Sequence, residues 1–148
     1  MNLFALFHIS GSALAAERLR AEVATSNLAN SETTRTPQGG PYRRQMVVFK
    51  SRPASQFRLL LANSPSLGAV STAGGVQVSQ VVDDPTPPLR RYEPGHPDAD
   101  GAGYVDYPAI SPVQETVDLM GAQRAYELNA SAVQAVKQMI QQSLQILK

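Results

Sequence analysis

Apolar side chains between residues 111 and 148 recur at alternating steps of three and four: Leu119, Ala122, Tyr126, Asn129, Val133, Val136, Ile140, Ser143 and Leu147. Such spacing holds one face of an α-helix against a partner and forms a heptad seam, here with polar residues at Asn129 and Ser143. A second row, Val117, Met120, Leu128, Ala132, Ala135, Met139 and Ile146, lies about 100° around the same helix, so the apolar face is too wide for one neighbouring helix. The start of the helix is also legible. Ser111 is a cap, Pro112 fits the first helical position, Gln114 closes a capping box, and Glu115 and Asp118 place negative charge near the N-terminus. Gln134, Gln138, Gln141 and Gln145 fill outer positions where a free surface helix carries Glu and Lys. Amides cost far less to bury than charges, so this face tolerates further protein against it.

Residues 3–30 repeat the spacing with less bulk: Ala5, Ile9, Ser12, Ala16, Leu19, Val23, Ser26 and Asn30. Ala13, Ala15, Ala21, Ala24 and Ala29 make this a thin helix that another can approach closely, with Arg18 and Glu22 as an exposed i,i+4 pair. Thr36 to Pro41, with two prolines and two glycines, forbids its continuation.

The middle of the chain changes period. Residues 42–50, with Met46, Val47, Val48 and Phe49, read as a strand, and residues 56–62 as either a strand or one helical turn. Val76, Val78, Val81 and Val82 form a further strand, ended by Asp84-Pro85 and by Pro87 and Pro88, and residues 89–92 form another. No crossover helix fits between these last two, so they read as a small antiparallel sheet or hairpin rather than a parallel sheet.

Several of these stretches together resemble the signature of the bacterial flagellar basal-body rod proteins. They are Ser26-Asn27-Leu28-Ala29-Asn30, Thr33-Thr34-Arg35-Thr36-Pro37, Gly40-Pro41-Tyr42-Arg43-Arg44, Pro94-Gly95-His96-Pro97-Asp98-Ala99-Asp100, and Val117-Asp118-Leu119-Met120 with Arg124, Tyr126 and Asn129. The resemblance is strongest to proximal-rod members and spans the chain apart from residues 51–75. Ala109-Ile110-Ser111 departs from the Asn-Val-Asn usual there, and Thr116 replaces a usual Met, without changing helix phase.

The resemblance implies a structural subunit that stacks helically across the periplasm and transmits motor torque to the distal rod and hook after passing the flagellar export apparatus. Implied neighbours are the rod proteins FlgB, FlgF and FlgG, the junction protein FliE, and further copies of the chain.

Composition narrows the remaining choices. Of 148 residues, 43% are hydrophobic but only 6% aromatic, so the core must be built from Ala, Val and Leu. A net charge of +1 suggests neither nucleic acid nor an acidic membrane surface as a partner. The absence of cysteine excludes disulfides, thiol catalysis and cysteine-ligated zinc. No apolar run approaches the roughly 20 residues that span a bilayer, and residues 1–7 lack the basic start and long apolar core of a Sec signal.

His96, Asp98 and Asp100 crowd a turn, yet Ala109 stands where an EF-hand needs its twelfth-position Glu, so a hydrogen-bonded turn is expected rather than a metal site. No catalytic residue, cofactor or metal is expected. The competing reading is a small hydrolase or ligand-binding domain with its site in residues 94–104. Arg124 is expected to form ion pairs near Asp118 and Glu127, and a buried Asn129 would fix helix register.

The expected fold is α+β and helix-dominated. Long N- and C-terminal helices (1–33 and 111–148) pack as an antiparallel coiled coil, and residues 34–110 form a small β-containing middle region. The expected assembly interface comprises Asn27, Leu28, Asn30, Leu119, Tyr126, Asn129, Val133, Val136, Ile140 and Leu147.

Overall fold

The structure, a computed structural model, describes residues 3–52 and 74–146. Its elements follow the order α1 (Leu3–Ala29), β1 (Gln45–Arg52), β2 (Gly75–Asp83), β3 (Leu89–Tyr92), β4 (Tyr104–Tyr107) and α2 (Pro112–Ile146). With 27 and 35 residues in the two helices, the fold is helix-dominated α+β. The α2 ladder opens with Glu115 N donating to the Ser111 carbonyl at 3.1 Å, which puts Ser111 at the cap and Pro112 in the first turn, where a missing N–H costs nothing. At its other end α1 is closed by its own polar residues. Asn30 donates from both backbone N and Nδ2 to the Ser26 carbonyl, and Ser31 donates back to the Leu28 carbonyl. The chain then turns at Gly39 and Gly40, whose φ values of 88° and 76° suit glycine alone without strain.

Two separate two-stranded sheets form, β1 with β2 and β3 with β4. In the first, Asp84 N donates to the Arg44 carbonyl at one end and Gly74 lies against Arg52 at the other, an antiparallel arrangement. In the second, Leu89 opposes Tyr107 and Tyr92 opposes Tyr104. The strands expected at residues 76–82 and 89–92 therefore both form in small antiparallel sheets, but they do not pair with each other. Pro85, Pro87 and Pro88 separate the two strands and withhold the backbone donors a tight return would need. The partner of β3 is β4, which sequence pattern left unassigned. Gly103, with φ of 79°, admits it, because a Cβ there would meet the Tyr92 ring at 3.0 Å and Pro94 at 3.2 Å. Residues 56–62, read as a strand or a turn, lie outside the described residues.

The chain divides into two compact units. One takes in Met1–Arg18, Phe49–Ser79 and Gln123–Lys148, the other Leu19–Val48 and Gln80–Ala122. In the first, Ser10, Ala16 and Val136 are buried, and Ser12 ties α1 to the start of β2: its Oγ accepts from Val76 N at 3.0 Å and donates to the Ile9 carbonyl at 2.7 Å. In the second, the buried set is Ala24, Asn27, Val105, Pro108, Ile110, Glu115 and Ala122. Neither core holds a large buried aromatic among the described residues, as the composition requires.

Candidate functional site

The most constrained part of the second unit is a polar node around Asn27, which is 1% exposed. Its Oδ1 accepts from Gln45 N at 2.9 Å and from the Tyr42 hydroxyl at 3.2 Å. Its Nδ2 donates to the Gln45 carbonyl at 2.9 Å and to Glu115 Oε2 at 3.0 Å. The amide thus uses its full hydrogen-bonding capacity, treating Gln45 as an adjacent strand would and joining α1, β1 and α2 at one point. Glu115, 2% exposed, is neutralised from the other side by Arg44 Nε at 2.6 Å. Arg44 also approaches Asp118 at 3.5 Å and Asp84 at 3.7 Å, and Arg20 reaches Asp118 at 3.5 Å.

Burial opposes the Arg44 charge, but the hydrogen bond and charge of Glu115, with Asp118 and Asp84, outweigh it and hold the guanidinium above its usual pKa. Asp84 is held below the usual carboxylate range, first by the Thr86 hydroxyl and backbone N and then by Arg44. The arrangement orients elements; it presents no nucleophile beside a base. Asp118, expected to serve Arg124, is instead engaged by Arg20 and Arg44.

A second polar cluster fills the turn between β3 and β4. Asp100 Oδ1 accepts from Ala102 N at 2.8 Å and Tyr104 N at 2.9 Å, and Oδ2 pairs with Arg90. The backbone bond from Tyr104, followed by that from Ala102 and the charge of Arg90, keeps this carboxyl below its usual pKa. Asp98 accepts from the Thr34 hydroxyl at 2.8 Å and its N donates to His96 Nδ1 at 3.1 Å. Tyr107 donates to Glu93 at 2.8 Å, and that bond raises its pKa. Arg90 stacks over Tyr104 and Arg91 over Tyr107 at 5.0 and 4.6 Å. These side chains are committed to the turn and its hairpin. Among the described residues no three His, Cys, Asp or Glu side chains are grouped to hold a metal ion.

Of the residues expected at an assembly interface, Asn27 is buried, Leu28 and Asn30 are half-buried at the end of α1, and Leu119 is half-buried in α2 of the same unit. In the first unit Val136 is buried, Asn129, Val133 and Ile140 are half-buried, and Tyr126 is exposed. Leu147 lies outside the described residues. Asn129 donates to the Ala125 carbonyl of its own helix at 2.8 Å.

The aliphatic seam positions are therefore buried or half-buried, and apart from Tyr126 and Leu144 the large exposed side chains of α2 belong to the second row and to Val113, one turn ahead of it. In the second unit these are Val113, Val117 and Met120, and in the first unit Leu128 and Met139. Val113 is 74% exposed and Leu128 71%. Isolated exposed apolar residues are ordinary, but a row repeated along a helix marks a surface that other protein covers. The node at Asn27 was only partly readable: the Asn and the Glu each stand out locally, while their meeting across the chain leaves no local pattern.

Residues 7–35 match the family described as "Flagella basal body rod protein", and residues 102–146 match "Flagellar basal body rod FlgEFG protein C-terminal". The chain is 40% identical over 152 residues to the flagellar basal-body rod protein FlgC of Bacillus subtilis, covering 100% of both chains. It is 37% identical over 155 residues to that of Borreliella burgdorferi, covering 100% of this chain and 99% of the relative. With the Salmonella typhimurium FlgC the identity is 39% over 144 residues, 97% of each chain.

Proposed function

The chain belongs to the family of flagellar basal-body rod proteins as a FlgC-like structural subunit, not an enzyme, and from that premise we propose how it is built into the rod. Residues 1–33 and 111–148 form the rod core, where the two helices pair as an antiparallel coiled coil through the inward seam. Residues 34–110 make a middle region held to that core by the Asn27 node. Support for antiparallel pairing comes from the second unit. There Asn27 meets Glu115 and Arg20 meets Asp118, so contacts retreat along α1 as they advance along α2.

The observation that carries the assembly reading is the outward row of α2, Val113, Val117 and Met120 in one unit and Leu128 and Met139 in the other. A helix whose seam is already turned inward keeps a second apolar row exposed only if further subunits cover it. Neighbouring subunits do so here: FlgB, FlgF, FlgG, FliE and other copies of this chain, stacked helically across the periplasm after passage through the export apparatus. Asn27, Leu28, Asn30, Leu119, Tyr126, Asn129, Val133, Val136, Ile140 and Leu147 belong to the assembly interface together with this row. Torque passes along such a stack because each subunit is gripped by its neighbours through long helices.

The test is a strain lacking the gene, complemented with the natural chain or with Val117→Asp. The natural chain restores rods in isolated basal bodies and swimming. Val117→Asp leaves the folded chain present but yields no completed rod. Full rods and motility in the uncomplemented strain would refute the assignment.

A further inference from the structure

Within the first unit, the exposed row of α2 has a counterpart on the chain itself. Leu128, Ser131, Ala132, Ala135 and Met139 are exposed, the large residues flanking the small ones. On α1 the exposed residues are His8, Gly11, Ala15 and Arg18, again large at the ends and small between, and a Cβ at Gly11 would meet nothing within 4 Å. Both faces are turned outward, so they can meet only between chains.

We propose that the outward row of α2 docks, antiparallel, on the His8 to Arg18 face of α1 in a second copy of this chain. The inference rests on the rod-subunit reading and names the partner of its assembly surface. In this register Leu128 lies along the aliphatic stem of Arg18, Ser131 on Ala15, Ala135 on Gly11, and Met139 on His8. The steps are 3, 4 and 4 residues along α2 against 3, 4 and 3 along α1, so the rows stay in phase for about 15 Å at 1.5 Å per residue. Small residues at the centre let the helix axes approach to the low end of the usual range of about 8–10 Å.

Charge fits the same register, because exposed Glu127 beside Leu128 falls next to exposed Arg18, adding to the interaction that Arg18 already makes within its own chain. The contact joins two different faces, so each added copy leaves one of each free and the array grows open-ended rather than closing as a dimer. Four layers of largely small side chains fall short of the roughly 800 Å² per partner typical of stable pairs, so the contact holds as a repeated one within an assembly.

The natural chain has no cysteine, which makes the register directly readable. The full chain carrying Ala15→Cys and Ser131→Cys is expressed in the deletion strain, and basal bodies are isolated, oxidised and separated under denaturing, non-reducing conditions. Gly11→Cys with Ala135→Cys serves as a second registered pair. Ala15→Cys with Met139→Cys is offset by eight residues, about 12 Å along the axis. Motility of each strain reports that rods are built.

The expected result is a ladder of cross-linked copies for the registered pairs and none for the offset pair. Motile strains without a ladder, a ladder from the offset pair, or a cross-link confined to one chain would overturn the inference while leaving the rod assignment standing. Rods in the strain lacking the chain altogether would instead remove the assignment.

Discussion

Asn27 and Glu115 are separated by 88 residues in sequence and joined at 3.0 Å, with Arg44 closing the node. A buried carboxylate left without its cation is among the costliest local defects a fold can carry. Arg44→Met therefore destabilises the chain by about 3 kcal/mol, since Glu115 keeps its burial and loses its pair. Asn27→Ala strands the Gln45 backbone groups and costs about 2 kcal/mol. Denaturant unfolding monitored by circular dichroism measures both. An exposed arginine such as Arg43 gives the contrast, since its replacement by alanine changes stability by roughly 0.5 kcal/mol or less. Sequence reading marked Asn27 as an interface residue and Glu115 as a charge favouring the helix N-terminus. Neither reading anticipates a buried ion pair, because the Arg44 that completes it lies in the segment just before β1, outside any helical period.

At the scale of elements, what was legible depended on how long each pattern runs. The two helices extend over many turns, and their 3.6-residue period and the Ser111-Pro112 start placed them within a few residues of the observed bounds. The strands β1, β2 and β3 were also visible as short β-branched or aromatic runs. Their pairing was not, since a run of four to nine residues carries no label for its partner, and β4 is a four-residue segment whose entry depends on Gly103.

The β3–β4 hairpin is also a pH-sensitive element. Asp100 has its folded pKa depressed below the unfolded value of about 3.9, so its stabilising effect is complete above that value and is lost as pH falls through the folded pKa. Proton NMR of the Tyr92 and Tyr104 rings, packed edge-on at 5.3 Å, should report progressive loosening from about pH 4 downward in the natural chain. Asp100→Asn should remove that pH dependence.

For the whole molecule, the seam and the second row were both present in the sequence, and the expectation of more than one neighbour came from the width of the apolar face. What period alone left open was which row the chain would keep for itself. Burial answers it: among the described residues of each unit the seam positions are buried or half-buried apart from Tyr126 and Ser143, and the second row stays outside. The first unit uses small residues at that inner surface and the second uses a polar node, so neither needs the large side chains of α2's outer row for its own core. Those side chains are available to neighbours, and the structural role of the family gives them neighbours to meet.

The central claim is that rod assembly covers this row, and two of its members are natural reporters. Met120 and Met139 are 48% and 44% exposed, whereas Met46 on β1 is half-buried and serves as an internal reference. Hydroxyl-radical footprinting should be run on the free chain and on isolated basal bodies, with methionine oxidation quantified by mass spectrometry. The account predicts ready oxidation of Met120 and Met139 in the free chain and strong protection of both in the rod, relative to Met46. Equal reactivity of the two methionines in free chain and rod would contradict it.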